Sequence, residues 1–207
     1  FHKLIAYDNL LTGLRYLSSA LSHHPYIGNG RNLSYRKELF FKHKGYCQSL
    51  NLHAGDDDLF INEASTKENT KVIYTPDSLT EMDPIERFGV WKEMKVSRAA
   101  TQRYYKGNTS TFYHLESTCF FLFQASVIAT VVIGLQGNWL ISLIAILLYL
   151  IRFIIKAIVF GKSARMLQQN PTTGWLFLLE FIQPLFNGYI RIYRLFKSKK
   201  DYTFSLS

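Results

Sequence analysis

The sequence predicts a mixed α/β segment over residues 1–115, a transmembrane helical hairpin over residues 116–160, and a further membrane-associated segment over residues 161–207. Three observations lead to this prediction. Residues 117–151 contain no charged side chain, the first 115 residues mix short helical and strand-like patterns, and most of the basic excess lies in the apolar half. The formal net charge is +9, and residues 116–207 carry nine Lys and Arg side chains against three acids.

The uncharged stretch is too long for one membrane span of about 20 residues and suits two. Gln136-Gly137-Asn138 lies in its middle and predicts a tight turn. We therefore expect helices from Ser117 to Leu135 and from Trp139 to Phe160. A buried hairpin in a soluble core is the alternative. Core helices usually keep one polar face, whereas Ile141–Ile151 is apolar except at Ser142.

Basic residues flank the hairpin on both outer sides, while its turn is uncharged. The positive-inside tendency then predicts a multi-pass protein of the inner (cytoplasmic) membrane, with residues 1–115 facing the cytoplasm. Basic residues beside apolar spans also favour a membrane surface over nucleic acid as the partner. The flanking residues are Lys95, Arg98, Arg103 and Lys106 before the hairpin, and Arg152, Lys156, Lys162 and Arg165 at its end.

A third apolar stretch runs from Trp175 to Phe196 and contains Glu180, Pro184 and Arg191. Its mixture of apolar and charged residues predicts an interfacial helix. Pro184 predicts a break or a kink, because proline removes a helical hydrogen bond. A third membrane span is the alternative.

The first 115 residues contain fragments of both secondary-structure types. Asp83 and Pro84 have the residue types of a helix cap and first position. Tyr26–Tyr35 contains two glycines and predicts a loop beside a strand, and Val72–Thr75 is a β-type run stopped by Pro76. These fragments are too few for a complete sheet, so we expect part of an α/β domain. The helical patterns cover Leu4–Leu21, Lys37–Lys44, Asp56–Ser65 and Asp83–Tyr105.

Three adjacent carboxylates, Asp56, Asp57 and Asp58, follow Gly55 at a predicted helix start. Two interpretations have equal weight on these residues alone. The acids can cap and stabilise the positive end of a helix. One of them can instead act as a general base that takes a proton from an acceptor hydroxyl.

Two motifs resemble those of family 2 glycosyltransferases. Gly55–Phe60 resembles the G-(E/D)-D-x-x-(L/F) motif, and Gly28–Lys37 resembles the G-x-G-x-N-x-A-Y-R-(R/K) segment that precedes it in many bacterial members. The predicted hairpin follows where membrane-anchored members carry theirs. The resemblance covers residues 20–160 and implies the C-terminal part of a nucleotide-diphosphosugar transferase domain of the glycosyltransferase A type.

The resemblance implies inverting transfer of a sugar from a nucleotide-sugar donor to a lipid-linked or glycan acceptor, in cell-envelope glycan synthesis. It matches Asp57 to the catalytic base and Asp56 to the first acid of the motif. For the two glycines an ordinary turn is the alternative. Four further residues are implied on the acceptor side of the site: Gly28, Gly30, Asn32 and Asp58.

Two departures from the family pattern limit these expectations. Residues 1–54 contain no D-x-D motif. The donor and a divalent metal, Mg²⁺ or Mn²⁺, are therefore expected to be bound mainly by sequence outside this chain. The chain alone is expected to be inactive. Met94–Arg98 stands where processive members carry Q-x-x-R-W. This favours addition of a single sugar, with a processive polysaccharide synthase or a non-catalytic membrane interaction protein as alternatives.

Several residues before the hairpin are candidates for contact with the membrane or with phosphate. Arg98 and Arg103 are expected to contact a diphosphate or a lipid headgroup phosphate. For each of them, a solvated basic face beside the headgroups is the alternative. Tyr104 and Tyr105 are predicted to be aromatic anchors at the interface.

Overall fold

The computed structural model of the chain describes residues 1–47, 49, 50, 52, 55–106, 109–170 and 172–197. These residues form helices and irregular connections, and no β-strand occurs among them. The α-helices are α1 (His2–Leu21), α2 (Lys37–Lys42), α3 (Asp56–Ala64), α4 (Phe88–Thr101), α5 (Thr109–Gln136), α6 (Trp139–Met166) and α7 (Leu176–Leu195).

The predicted α/β fold, and with it the glycosyltransferase A-type domain, is wrong for this chain, since its described part is all-α. Val72–Thr75 lies in an irregular loop in which Ile73 is 70% exposed, so this run buries no apolar face. A strand needs a partner and an apolar face to be stable. The helix expected from Asp83 begins only at Phe88, because the backbone is still extended at Arg87 (φ −112°, ψ 126°).

The two predicted hairpin helices are present and are longer than expected. Leu115–Gln136 of α5 and the whole of α6 are long and apolar enough to cross a membrane. Asn138 starts α6, and its side-chain oxygen accepts a hydrogen bond from the amide of Leu140 at 3.0 Å. Helix α6 continues to Met166 because Phe160 and Ala164 pack into a core with α1 and α7.

The hairpin closes tightly near its turn and presents apolar side chains outwards. Ser142 of α6 donates to the carbonyl of Val131 at 2.8 Å, and Gly134 lies directly against Ser142. On the outer surface Leu143 and Leu147 are 52% and 56% exposed. A continuous apolar surface of this kind indicates contact with lipid or with another protein.

Helix α7 connects the hairpin to the rest of the chain. It remains one helix through Pro184, so the predicted break is wrong, while the alternative of a kink stays a prediction. Packing on both sides of the proline holds this turn. The side-chain amide of Gln183 donates a hydrogen bond to the Asp8 carboxylate of α1 at 3.0 Å. Phe186 stacks on Trp91 of α4 with ring centroids 4.6 Å apart. One buried cluster joins α1, α6 and α7, and a second joins α4 and α7 through Val96, Ala99 and Ile190.

Candidate active site

The glycine segment and the acidic segment meet in space. The Gly30 amide donates a hydrogen bond to the Asp57 carboxylate, across 27 residues of chain. A β-carbon added at Gly30 would lie 2.7 Å from Asp57 Oδ2, and one added at Gly28 would lie 2.9 Å from Ile61 Cγ1. Glycine at both positions therefore allows the backbone to approach α3 closely.

The start of α3 is fixed by its surroundings as well as by its acids. Gly55 has φ +94°, in the left-handed region, and its α-carbon lies against the side chain of Thr101 at the end of α4. A side chain at position 55 would be strained and would collide. Gly55 therefore occupies the N-cap position of α3, and the three acids lie in the first turn. There they favour the positive helix end.

Asp58 is the motif acid that reaches a cavity. This cavity of about 110 Å³ lies between α1, α4, α7 and the glycine segment, and Gly28, Asp58 and Arg98 are among its lining residues. Asp58 is buried, and the Tyr105 hydroxyl donates to its Oδ2 at 3.1 Å. The predicted interface anchor Tyr105 thus has a contact inside the site.

The environment of Asp58 brings the pKa of its carboxyl group close to neutral pH. Burial, followed by the charge of Asp57, raises the pKa of Asp58 to about 6, while Arg98 and the Tyr105 hydrogen bond act in the opposite direction. At pH 7 such a carboxyl is mostly ionised, yet it holds a proton more strongly than an ordinary aspartate. A general base works best with a pKa near the working pH.

The remaining predicted site residues lie elsewhere. Asn32 donates through its side-chain amide to the carbonyl of Ser78 at 2.8 Å and supports a loop. Asp56 is exposed. Arg103 is exposed in the 3-10 turn Gln102–Tyr104 after α4, outside the cavity lining.

Three further cations, which the sequence did not place at this site, line the cavity: Arg15, Lys95 and Arg191. Arg15 pairs with Glu116 at 2.7 Å, and Lys95 pairs with the buried Asp8 at 2.8 Å. The sequence gives one indication of this group, since Arg191 interrupts an apolar stretch. The partners of Arg15 and Lys95 lie about 100 and 87 residues away and depend on tertiary packing.

The implied divalent metal is expected mainly on sequence outside this chain, and that expectation stays a prediction. Across the described ranges, no group of three His, Cys, Asp or Glu side chains is placed to hold an ion. Asp57 accepts a hydrogen bond from a backbone amide, and Asp58 accepts one from a tyrosine hydroxyl.

Comparison with known proteins gives no relative. No protein-family model, no curated protein and no solved structure matches the chain.

Asp58→Asn is expected to stabilise the fold at neutral pH. The folded pKa of Asp58 is about 6, above the value of 3.8 for a free side chain, so the folded state binds more protons between these values. The wild-type free energy of unfolding therefore falls as pH rises through this window, by about 1–3 kcal/mol, and asparagine removes that loss. Thermal unfolding of both proteins at pH 4 and pH 7.5 measures this difference.

The exposed Asp56→Asn is the matched control, because it makes the same substitution outside the cavity. It removes the charge of Asp56, the smallest of the influences on the pKa of Asp58, and is therefore expected to keep most of the wild-type pH dependence. An Asp58→Asn variant that loses as much stability as the wild type between pH 4 and pH 7.5 would show that Asp58 is not a buried carboxyl group with a raised pKa.

Proposed function

We propose that this chain forms the acceptor side of a membrane-anchored, inverting family 2 glycosyltransferase. It adds a single sugar from a nucleotide-sugar donor to a lipid-linked or glycan acceptor in cell-envelope glycan synthesis. One observation carries the proposal. Gly30 and Asp57, which belong to two motifs that resemble those of this family, are in direct hydrogen-bonded contact beside a polar cavity.

The chemistry requires a carboxylate that removes the proton of the acceptor hydroxyl. The hydroxyl oxygen attacks the anomeric carbon, the bond from that carbon to the diphosphate breaks, and the nucleoside diphosphate leaves with the bonding electrons. The proton passes to Asp57, which the motif matches to the base. Asp58 is a second candidate for this role, because it faces the cavity and its pKa is raised to about 6.

The donor and its divalent metal belong, in this proposal, to sequence outside the chain. The resemblance is the basis for that assignment, since the family's D-x-D precedes the glycine segment. Within residues 1–207 the proposal needs only the acceptor pocket, the base and the membrane attachment.

Membrane attachment is supported by α5, α6 and α7. The first two are long and apolar enough to cross a membrane. Helix α7 exposes apolar side chains along one side at helical spacing, as a helix at a membrane surface does. We propose that α5 and α6 span the inner membrane with the candidate site on its cytoplasmic side. The exposed apolar side is formed by Leu178, Ile182, Leu185, Tyr189, Ile192 and Phe196.

Cysteine labelling in intact cells tests the sidedness. With Cys47 and Cys119 replaced by serine, single cysteines are introduced at Gln136 and Lys162. A membrane-impermeant maleimide is expected to label position 136 in intact cells and position 162 only after permeabilisation, because the basic flanks favour the cytoplasm. Labelling of both positions from the same side would contradict the hairpin topology.

A donor screen tests the activity. Membranes that contain the intact protein are supplied with individual nucleotide sugars, and release of nucleoside diphosphate is measured against membranes that contain Asp57→Asn. Acceptor-dependent release with one donor, lost in the variant, is expected. If no donor gives release above the Asp57→Asn background, the proposed transferase activity is wrong.

A further inference from the structure

The segment around α2 presents a strongly basic surface that includes an exposed aromatic side chain. Residues 36–44 contain four Lys and Arg side chains against one acid, Glu38, which is a formal net charge of +3. All four cations are exposed, and Phe41 among them is 65% exposed. This surface, the α2 patch, consists of Arg36, Lys37, Phe41, Lys42 and Lys44.

The α2 patch is held in place by a cluster of aromatic rings on the other side of the helix. Phe40 packs into this cluster, with ring centroids 5.1 Å from Tyr46 and 5.6 Å from the buried Phe60 of α3. Gly45 makes the turn after α2 with φ +58°, and a β-carbon there would lie 2.6 Å from the Phe40 ring. The packing of Phe40 therefore leaves the neighbouring Phe41 on the outer surface.

An exposed aromatic ring among Lys and Arg side chains suits an anionic lipid surface. The cations attract the headgroups, and the ring enters the boundary between headgroups and acyl chains. The Lys37 ammonium lies 5.9 Å from the centre of the Phe41 ring, so charge and apolar surface are adjacent. An acidic protein surface would also attract the cations, and the position of the patch in the fold decides between the two partners.

That position is close to the start of the hairpin. Helix α2 packs on α3 through the aromatic cluster, and α3 is tied to the segment that leads into α5. The Asn62 side chain accepts a hydrogen bond from the Lys106 amide at 2.6 Å, and Glu63 pairs with the Lys106 ammonium at 3.2 Å. Helix α5 begins at Thr109, and about 9 Å of helix separates it from Leu115, where the candidate membrane span starts.

We propose that the α2 patch binds the anionic lipid headgroups of the leaflet that the hairpin enters. This rests on the membrane attachment in the proposed function and adds a second, peripheral contact with the bilayer. The contact fixes the orientation of the candidate site relative to the membrane, because α3, which joins the patch to the hairpin, carries Asp57 and Asp58 in its first turn.

Fluorescence quenching by lipid headgroups tests this contact without any measurement of sugar transfer. Cys119 is replaced by serine, and a fluorophore is attached to the exposed Cys47, which follows Tyr46 of the aromatic cluster. The intact protein is placed in nanodiscs of phosphatidylcholine with a nitroxide quencher on its headgroup, with or without added phosphatidylglycerol. We expect phosphatidylglycerol to increase the quenching, because it brings the patch to the headgroups.

Two double variants separate the patch from the general basic charge of the chain. Lys42→Glu/Lys44→Glu reverses two charges of the patch, and Lys67→Glu/Lys71→Glu reverses two exposed charges in the loop after α3. Each basic side chain contributes about a fivefold preference for an anionic surface. The patch variant is therefore expected to lose most of the added quenching, while the loop variant keeps it.

The charge-conserving variant Lys42→Arg/Lys44→Arg is expected to match the wild type, which separates loss of charge from misfolding. Quenching that does not depend on phosphatidylglycerol, or that survives in Lys42→Glu/Lys44→Glu, would overturn the proposal. Shielding of Cys47 from a water-soluble maleimide in native membranes, but not in nanodiscs of either composition, would also overturn it and assign the patch to an acidic protein.

Co-elution of the protein with the nanodisc reports on insertion of the hairpin separately from the patch. If the protein does not enter nanodiscs, the membrane attachment in the proposed function is wrong and the lipid contact of the patch is wrong with it. If the protein enters nanodiscs and the quenching does not respond to phosphatidylglycerol, only the patch proposal fails.

Discussion

Asp57→Asn is expected to reduce sugar transfer by about 10²–10⁴-fold, the usual cost of losing a positioned base. The variant should still fold. Asparagine has nearly the same shape, and its side-chain oxygen can still accept the hydrogen bond from the Gly30 amide that holds the two motifs together. The rate of nucleoside diphosphate release per amount of membrane protein measures the effect. Binding of the donor should remain near the wild-type level, because the donor contacts lie outside this chain in the proposal.

Two matched variants separate the three acids. Asp56→Asn alters an exposed side chain and is expected to keep most of the activity. Asp58→Asn is expected to be milder than Asp57→Asn, because the motif leaves that position variable. The opposite order, with Asp58→Asn inactive and Asp57→Asn active, would transfer the role of base to Asp58.

The pH profile adds a check on this assignment. If Asp58 is the base, the rate should rise with pH around its pKa of about 6, since the base must be ionised to accept a proton. This rise of the rate around pH 6 should be absent from the residual activity of Asp58→Asn.

Glu180→Gln is expected to cause the largest loss of stability, about 3–5 kcal/mol, because it leaves two partly buried cations without their common anion. The Glu180 side chain is 1% exposed, and its Oε1 contacts Arg152 at 2.5 Å and Lys156 at 3.0 Å. These contacts join α7 to α6. The apparent melting temperature of the protein in detergent micelles measures the effect.

Glu93→Gln is the matched control for this loss. Glu93 pairs with Lys197 in a similar way, but its side chain is 50% exposed. Exposed ion pairs contribute about 1 kcal/mol or less. If Glu180→Gln and Glu93→Gln have the same apparent melting temperature, the α6–α7 contact does not depend on the buried charge of Glu180.

The hairpin could be predicted from the sequence because its determinants are local. An uncharged stretch with a central turn defines two helices wherever the rest of the chain lies. The extension of α6 to Met166 could not be predicted in this way, because it depends on packing of Phe160 and Ala164 against α1 and α7. The continuity of α7 through Pro184 likewise depends on contacts with Asp8 and Trp91, which are distant in sequence.

The α/β prediction failed because a short β-type pattern does not by itself form a strand. The run Val72–Thr75 has β-type residues, but strand formation requires a second strand, and the described chain has none. At the candidate site, Gly30 lies against Asp57, and Gly28 and Asp58 line the same cavity. Asn32 supports a neighbouring loop, and Arg191 enters the cavity from a helix about 160 residues further along the chain.

The anomeric configuration of the product shows whether sugar transfer at this site is inverting. Once the donor screen identifies the sugar, the product formed in membranes by the intact protein is extracted, and its new glycosidic bond is assigned by proton NMR. We expect a configuration opposite to that of the donor, because one carboxylate activates the acceptor for direct displacement. Retention of the donor's configuration, or nucleotide release without a new glycosidic bond, would contradict an inverting transfer at this site.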